Sequence, residues 1–304
     1  MTIREPDPSA VSGGHPLADS LGRAGALSSL FNLPVRSPEQ DGWLGAPSLF
    51  QDDDQRLGEM VMSQGRDRWG TENRHTAGSA FIIAYLTKIT WPLISQYVLE
   101  RRVPDVRLSN LEFHWNGQEI DGTAIRGPSF AALPGDTASN HPDAVVVAGV
   151  PELYPLLKEW LFEGNLNIVI PSLRNAARAS LKVSWNAVAA SCAQAFKKLY
   201  EVSGNPEAVV RDADDFFGDP SSPVYREVTM EVFRHQGKQG FYSRRAGCCL
   251  WWRTDEAKDY CSNCVLLSRE QQDARFRQNL EGRKGIVRDS RLWKVLNEIR
   301  SLLS

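Results

Sequence analysis

Four of the chain's five cysteines fall within seventeen residues near its C-terminus, as Cys248, Cys249, Cys261 and Cys264 of RRAGCCLWWRTDEAKDYCSNCVLL. Thiols so clustered leave the segment few ways to fold. Five cysteines this unevenly placed, with Cys192 far upstream, do not make a secreted disulfide framework. Four soft sulfur donors suit an iron-sulfur cluster or a tetrahedral zinc. The Cys-x-x-Cys half, Cys261 and Cys264, fits either, because two intervening residues let both sulfurs converge from one tight turn. The adjacent pair discriminates. Neighbouring side chains diverge, so closing Cys248 and Cys249 on a single small ion strains the backbone. A two-iron cluster offers a broader set of attachment points and is served with less distortion. The spacing therefore favours a cluster and leaves structural zinc as the alternative.

The rest of the composition bounds the setting. With 304 residues, 42% of them apolar, the chain can bury a substantial core. A formal charge of -2 gives no field that would favour nucleic acid or an anionic bilayer, so neither is an expected partner. The N-terminal sequence MTIREPDPSAVSGGHPLADS places acids and prolines where a signal peptide needs a basic start and an apolar run, which points to a cytoplasmic protein. Residues 77–99 are long enough to span a bilayer but contain Lys88, Pro92, Ser95 and Gln96; a buried, kinked core helix is expected and no transmembrane span.

Periodicity divides the chain into a flexible N-terminal arm over residues 1–45, a mainly helical domain with a β-hairpin over 46–240, a cysteine segment over 241–268 and a charged C-terminal helix over 269–304. Within the arm only residues 21–33 could form a weak helix. Helices are expected over 55–65 and over 76–101, bent at Pro92. VRLSNLEFHW, a turn at Asn116 and Gly117, and QEIDGTAIR read as the hairpin. AVVVAGV fits a third strand or the lead into a helix. That helix starts at Pro151, lines up Leu153, Leu156, Leu157, Trp160 and Leu161 on one apolar face, and stops at Gly164. A long helix covers 173–202 with Cys192 as a packing residue, and Asn205 and Pro206 open a short one. The type of 224–233 is open. The fold class is α+β, mainly helical, with a small antiparallel sheet and a C-terminal cluster loop.

Around the cysteines, Arg244 and Arg245 would place positive charge beside four thiolates and stabilise a reduced cluster. Trp251 and Trp252 would shield it or form a platform for a ligand. The acidic loop of Asp255, Glu256 and Asp259 reads as a solvated turn. The histidines at 15, 75, 114, 141 and 235 show no metal-ligand spacing, and no Gly-rich dinucleotide fingerprint follows a strand.

RRAGCC and YCSNC resemble the C-terminal cluster motif of the FhuF-type ferric siderophore reductases, and KVSWNAVAA, residues 182–190, is similar to the helix that precedes it there. The likeness runs over about residues 45–268. It implies a 2Fe-2S protein that reduces ferric siderophores in the cytoplasm, with Cys248, Cys249, Cys261 and Cys264 matching the family's ligands and room for peripheral association at the inner membrane. Eleven residues separate the two pairs here, where the family has ten. On charge and aromatic grounds Arg74, Arg126, Trp251 and Trp252 are candidates for siderophore contacts. Electrons would come from an external donor such as a ferredoxin or a flavin-dependent reductase. The competing readings are an electron carrier to another protein and a zinc-stapled interaction protein.

Overall fold

The computed structural model describes residues 14–35, 43–257 and 259–282. The first helix, α1 (Pro16–Leu27), starts where the His15 ring accepts the Leu17 N–H and Pro16 sits in the first turn. Its Leu17, Leu21 and Ala24, with Phe31 and Leu33 beyond it, are buried in the core. The flexible arm expected over residues 1–45 is therefore corrected for residues 16–35. A short helix is marginal alone but is held once its apolar face finds a partner. Two polar ties add to that packing: Gln96 donates to the Ser20 carbonyl at 3.0 Å, and Arg102 to that of Pro16 at 2.7 Å. Residues 1–13 and 36–42 of the expected arm lie outside the described residues.

β1 (Trp43–Gly45) and α2 (Ala46–Phe50) lead into α3 (Asp54–Trp69), which is capped by Asp53 and ended by Gly70 in the left-handed conformation. α4 (Arg74–Glu100), capped by Asn73, runs on through Pro92. Among the described helices α4 is the one long and apolar enough to cross a membrane, yet 72% of its most apolar window is buried inside the protein. The protein's own elements cover it, as a core helix requires. β2 (Val103–Pro104) precedes the expected hairpin, β3 (Leu111–Trp115) and β4 (Ile120–Ile125), to which β1 adds an antiparallel edge. β5 (Phe130–Ala132) pairs antiparallel with β2 and parallel with β6 (Ala144–Val146), so AVVVAGV enters a separate small sheet.

α5 (Val150–Lys158) begins as expected, but Gly164 does not stop it. A π-helical segment, Glu159–Leu166, carries the chain into α6 (Asn167–Ala177). Asn165, fully buried in that widened turn, accepts the Tyr85 hydroxyl at 2.6 Å and donates to the Val106 carbonyl at 2.7 Å. Tertiary hydrogen bonds outweigh the local helix-stopping tendency of one glycine. The single helix expected over 173–202 is also corrected. Arg178 turns left-handed at φ 54°, and Ser180 caps a new helix, α7 (Leu181–Val202). α8 (Pro206–Gly218) follows its Asn205 cap.

The ambiguous 224–233 segment becomes β7 (Val228–His235), paired in antiparallel register with β8 (Lys238–Arg245), a strand that the sequence pattern did not signal. α9 (Arg269–Leu280) starts from a capping box at Ser268. The expected helix beyond residue 282 lies outside the described residues. The result is a mainly helical α+β fold around α4 and α7, with three small sheets among the described residues and the cysteine loop between β8 and α9.

Candidate metal centre

Strand alternation sets the approach to the cysteines. Successive β8 side chains point to opposite faces. Phe241 stacks on Tyr200 of α7, and Ser243 is reached by Gln194 of α7 and by Asn263 of the loop. Arg245 follows on this face and donates to the Cys249 sulfur at 3.3 Å. Tyr242 and Arg244 turn to the other face, against α9. Tyr242 stacks on Phe276 at 4.4 Å, and Arg244 bonds Glu231, Asp273 and Gln272. The expectation that both arginines sit beside the cysteines is thus corrected: adjacent residues on a strand cannot share a face, and Arg244 is neutralised by two carboxylates.

The loop is braced on each side. Gly247 presses on the Asn186 side chain of α7, so closely that any Cβ there would overlap the amide. Ser79 of α4 donates to the Cys249 carbonyl at 2.6 Å. Leu250, left-handed at φ 59°, turns its N–H back onto the Cys248 sulfur at 3.3 Å. Further on, Asp255 donates its N–H to the Trp69 carbonyl. Gly70 meets Asp255 there at a distance that leaves no room for a side chain, in a backbone conformation that glycine adopts freely. Two successive turns, Cys264 N–H to Cys261 and Leu267 N–H to Cys264, fold the Cys-x-x-Cys half. From α9, Gln272 donates to the Cys264 carbonyl at 3.1 Å, and Arg275 binds the Tyr260 carbonyl and Asp259. The acidic loop is therefore partly structural: Asp259 is a brace, and Glu256 faces Arg68 at 3.7 Å.

These braces make the loop sensitive to small changes. Gly247→Ala is expected to lower stability by about 1–2 kcal/mol through overpacking, and to reduce iron per chain. Ser268→Ala, which removes the α9 cap, is expected to cost about 1 kcal/mol and to loosen the loop through Gln272 and Arg275. Urea unfolding with iron analysis checks both.

Cys249 and Cys264 are buried and Cys248 and Cys261 half-buried. A hydrogen bond from the Cys261 thiol, helped by Arg245, pulls Cys249 down to about 5, while giving that bond pushes Cys261 up. Burial pushes Cys264 up to about 11. The Cys249 thiolate is thus ready at neutral pH, and the raised Cys261 and Cys264 thiols deprotonate on binding metal. No three of the four sulfurs lie within 4.8 Å of one another; among the described residues only His15, His141 and Asp143 present such a trio.

Cys192 is fully buried in α7, away from the loop, and burial pushes its thiol up. Trp251 packs edge-on against Trp69 at 5.0 Å and Trp252 faces Tyr260 at 6.3 Å, both half-exposed. Arg74 is exposed at the first residue of α4, and Arg126 faces Glu112 at 3.3 Å on the first hairpin. No ionic or ring contact among the described residues joins either arginine to the two tryptophans. Ser79, Ser243, Gln272 and Arg275 escaped the sequence reading, since polar residues on helices and strands give no local sign of what they will touch.

Residues 245–266 match the family model of the FhuF 2Fe-2S C-terminal domain. Over those residues the chain is similar to the FhuF-type 2Fe-2S domain. The match begins at Arg245 and takes in all four cysteines, so the resemblance read from the sequence holds over this segment, the cofactor is a 2Fe-2S cluster, and the domain ties the chain to siderophore-related iron chemistry. No curated protein matches the chain. Among solved structures it is similar to aerobactin synthetase IucA from a hypervirulent pathotype of Klebsiella pneumoniae. The ATP-bound form is 18% identical, with a TM-score of 0.42, over 51% of this chain and 29% of that one. A second structure of that synthetase gives 17%, 0.44, 55% and 31%. The chain spans less than a third of the synthetase, and a likeness this loose says nothing about this chain's activity.

The donor set fits the cofactor. Arg245 forms no carboxylate ion pair among the described residues, and its Nε and Nη2 are buried without acceptors. A buried cation needs a compensating anion. Four thiolates around two irons are one.

Proposed function

We propose that this protein reduces ferric siderophores, with Cys248, Cys249, Cys261 and Cys264 as the ligands of its 2Fe-2S cluster. The observation that carries the reading is Arg245, a buried guanidinium without a carboxylate, aimed at the cysteine loop that matches the FhuF-type domain. When bound, the cluster supplies single electrons; the siderophore's ferric iron gains one and becomes ferrous, which hard hydroxamate or catecholate oxygens hold far less well. The chain's own part is access and charge. Trp251 and Trp252 are half-exposed beside the cysteines, and Val265 and Leu266 are exposed just after Cys264. That apolar rim suits a flat ligand or a donor protein. The donor is external, a ferredoxin or a flavin-dependent reductase, and the setting is the cytoplasm, at or near the inner membrane.

A second reading, an electron carrier to a protein partner, draws on the shape of that rim. The open cavities of about 600 and 500 Å3 lie beside α1 and the 134–142 loop, away from the cysteines. One experiment separates the two. Protein purified without oxygen, analysed for iron and sulfide and then reduced, should be reoxidised by a ferric hydroxamate while a chelator captures ferrous iron. A colourless zinc protein without sulfide would sink both readings, and no acceleration over buffer would leave the carrier.

A further inference from the structure

The five histidines show no ligand spacing along the sequence, yet the fold brings two of them together. His15, just before α1, and His141 and Asp143, just before β6, present three donor atoms within 4.8 Å of one another. We propose that His15, His141 and Asp143 form a second metal site, for a divalent transition ion such as zinc, separate from the cluster.

Two imidazoles and one carboxylate are a donor set of intermediate softness, suited to zinc and its neighbours rather than to magnesium or calcium. His15 Nε2 lies 3.1 Å and His141 Nδ1 3.6 Å from the same carboxylate oxygen, Asp143 Oδ2, and the two rings sit edge to face at 4.4 Å. All three side chains are part-buried, which limits their motion, and a cavity of about 500 Å3 lined by Pro16, His141 and Pro142 gives an ion and its waters a way in. Arg23 and Arg102 also line that cavity, but Glu100 and Asp136 neutralise them. Repulsion of a cation is thereby reduced.

The ring protons define the exchange. His141 Nδ1 accepts the Asp143 N–H at 3.3 Å, so it is the unprotonated ring nitrogen, and a metal ion there takes its lone pair in exchange for that long hydrogen bond. His15 Nδ1 accepts the Leu17 N–H, which leaves its proton on Nε2, facing Asp143. Metal binding at Nε2 moves that proton to Nδ1 and replaces the α1 cap bond with a metal bond. Because His15 and Asp143 are 128 residues apart, the ion would clip α1 to the start of β6. The site is remote from the cysteines: Ser79 touches Cys249, Gln96 touches α1, and the helix between them is about 25 Å long at 1.5 Å per residue.

The test titrates Zn2+ into the cluster-loaded full chain by anaerobic calorimetry while the visible spectrum is followed. One equivalent should bind with the spectrum unchanged. Binding should weaken at least about tenfold in Asp143→Asn and in His141→Gln, with circular dichroism reporting that each variant is folded; His15 is spared because it also caps α1. In the unmodified protein the same equivalent of Zn2+ should slow tryptic cleavage after Arg23 of α1, a readout that needs no variant. No uptake, uptake in both variants as tight as in the unmodified protein, uptake that only bleaches the cluster, or unchanged cleavage would overturn the site.

Discussion

Replacing any one of Cys248, Cys249, Cys261 and Cys264 by alanine is expected to bring iron and acid-labile sulfide per chain down to background and to abolish the proposed ferric siderophore reduction. A 2Fe-2S cluster needs four protein ligands, and no spare thiol is near: Cys192 is fully buried in α7. Cys192→Ala is therefore expected to keep the visible spectrum and the activity, at the modest stability cost of a small core cavity. The four substitutions differ in what they leave behind. Removing Cys249 takes away the one thiol already held at about 5 and strands Arg245 without its sulfur, so this variant should also be the least stable without metal. Metal analysis with absorption spectroscopy checks the set. A single-cysteine variant with a full cluster, or a Cys192→Ala protein without one, would show that the ligands are misassigned.

How much of this was legible in the sequence follows from where each signal lives. The cysteines were legible because their chemistry is carried by residue type and spacing, and both survive any arrangement of the surrounding helices. The hairpin at Asn116 and Gly117 and the helix started by Asn205 and Pro206 were legible because turns and caps are local. Tertiary contacts decided what was missed. Gly164 reads as a stop, but the hydrogen bonds of the neighbouring Asn165 to Tyr85 and Val106 hold the chain helical through it. Residues 21–33 read as a weak helix because the apolar surface that holds them belongs to α4, which starts more than forty residues on. β8 gave no sign because its alternation is polar on both faces near its end, so Arg244 and Arg245 looked equivalent. The strand sends one to α9 and the other to Cys249. His15 and His141 show the same limit, for a ligand pair made by the fold has no spacing to read.

That divergence of two adjacent arginines makes a second large effect testable. Arg245→Met is expected to lower the reduction potential of the cluster, by no more than roughly 65–130 mV, the equivalent of the whole bond. The reduced cluster carries one more negative charge than the oxidised one, and Arg245 donates a charge-assisted hydrogen bond to a ligand sulfur with no carboxylate to dilute it. Such bonds contribute about 1.5–3 kcal/mol, and for a one-electron couple a tenfold change is about 59 mV, or 1.36 kcal/mol. Arg245→Lys should recover part of the drop, since it keeps the charge but loses the rigid fork of donors. Arg244→Met is the control. Its guanidinium is offset by Glu231 and Asp273 on the other face of the strand, so its loss should loosen α9 from the hairpin and leave the potential within about 20 mV, a small fraction of a charge-assisted bond. A redox titration followed by visible absorption or spin resonance reads both. Equal shifts for the two arginines would mean that surface charge at large, not the guanidinium against Cys249, sets the potential. The buried cation would then lose its place as the support for four thiolates around two irons.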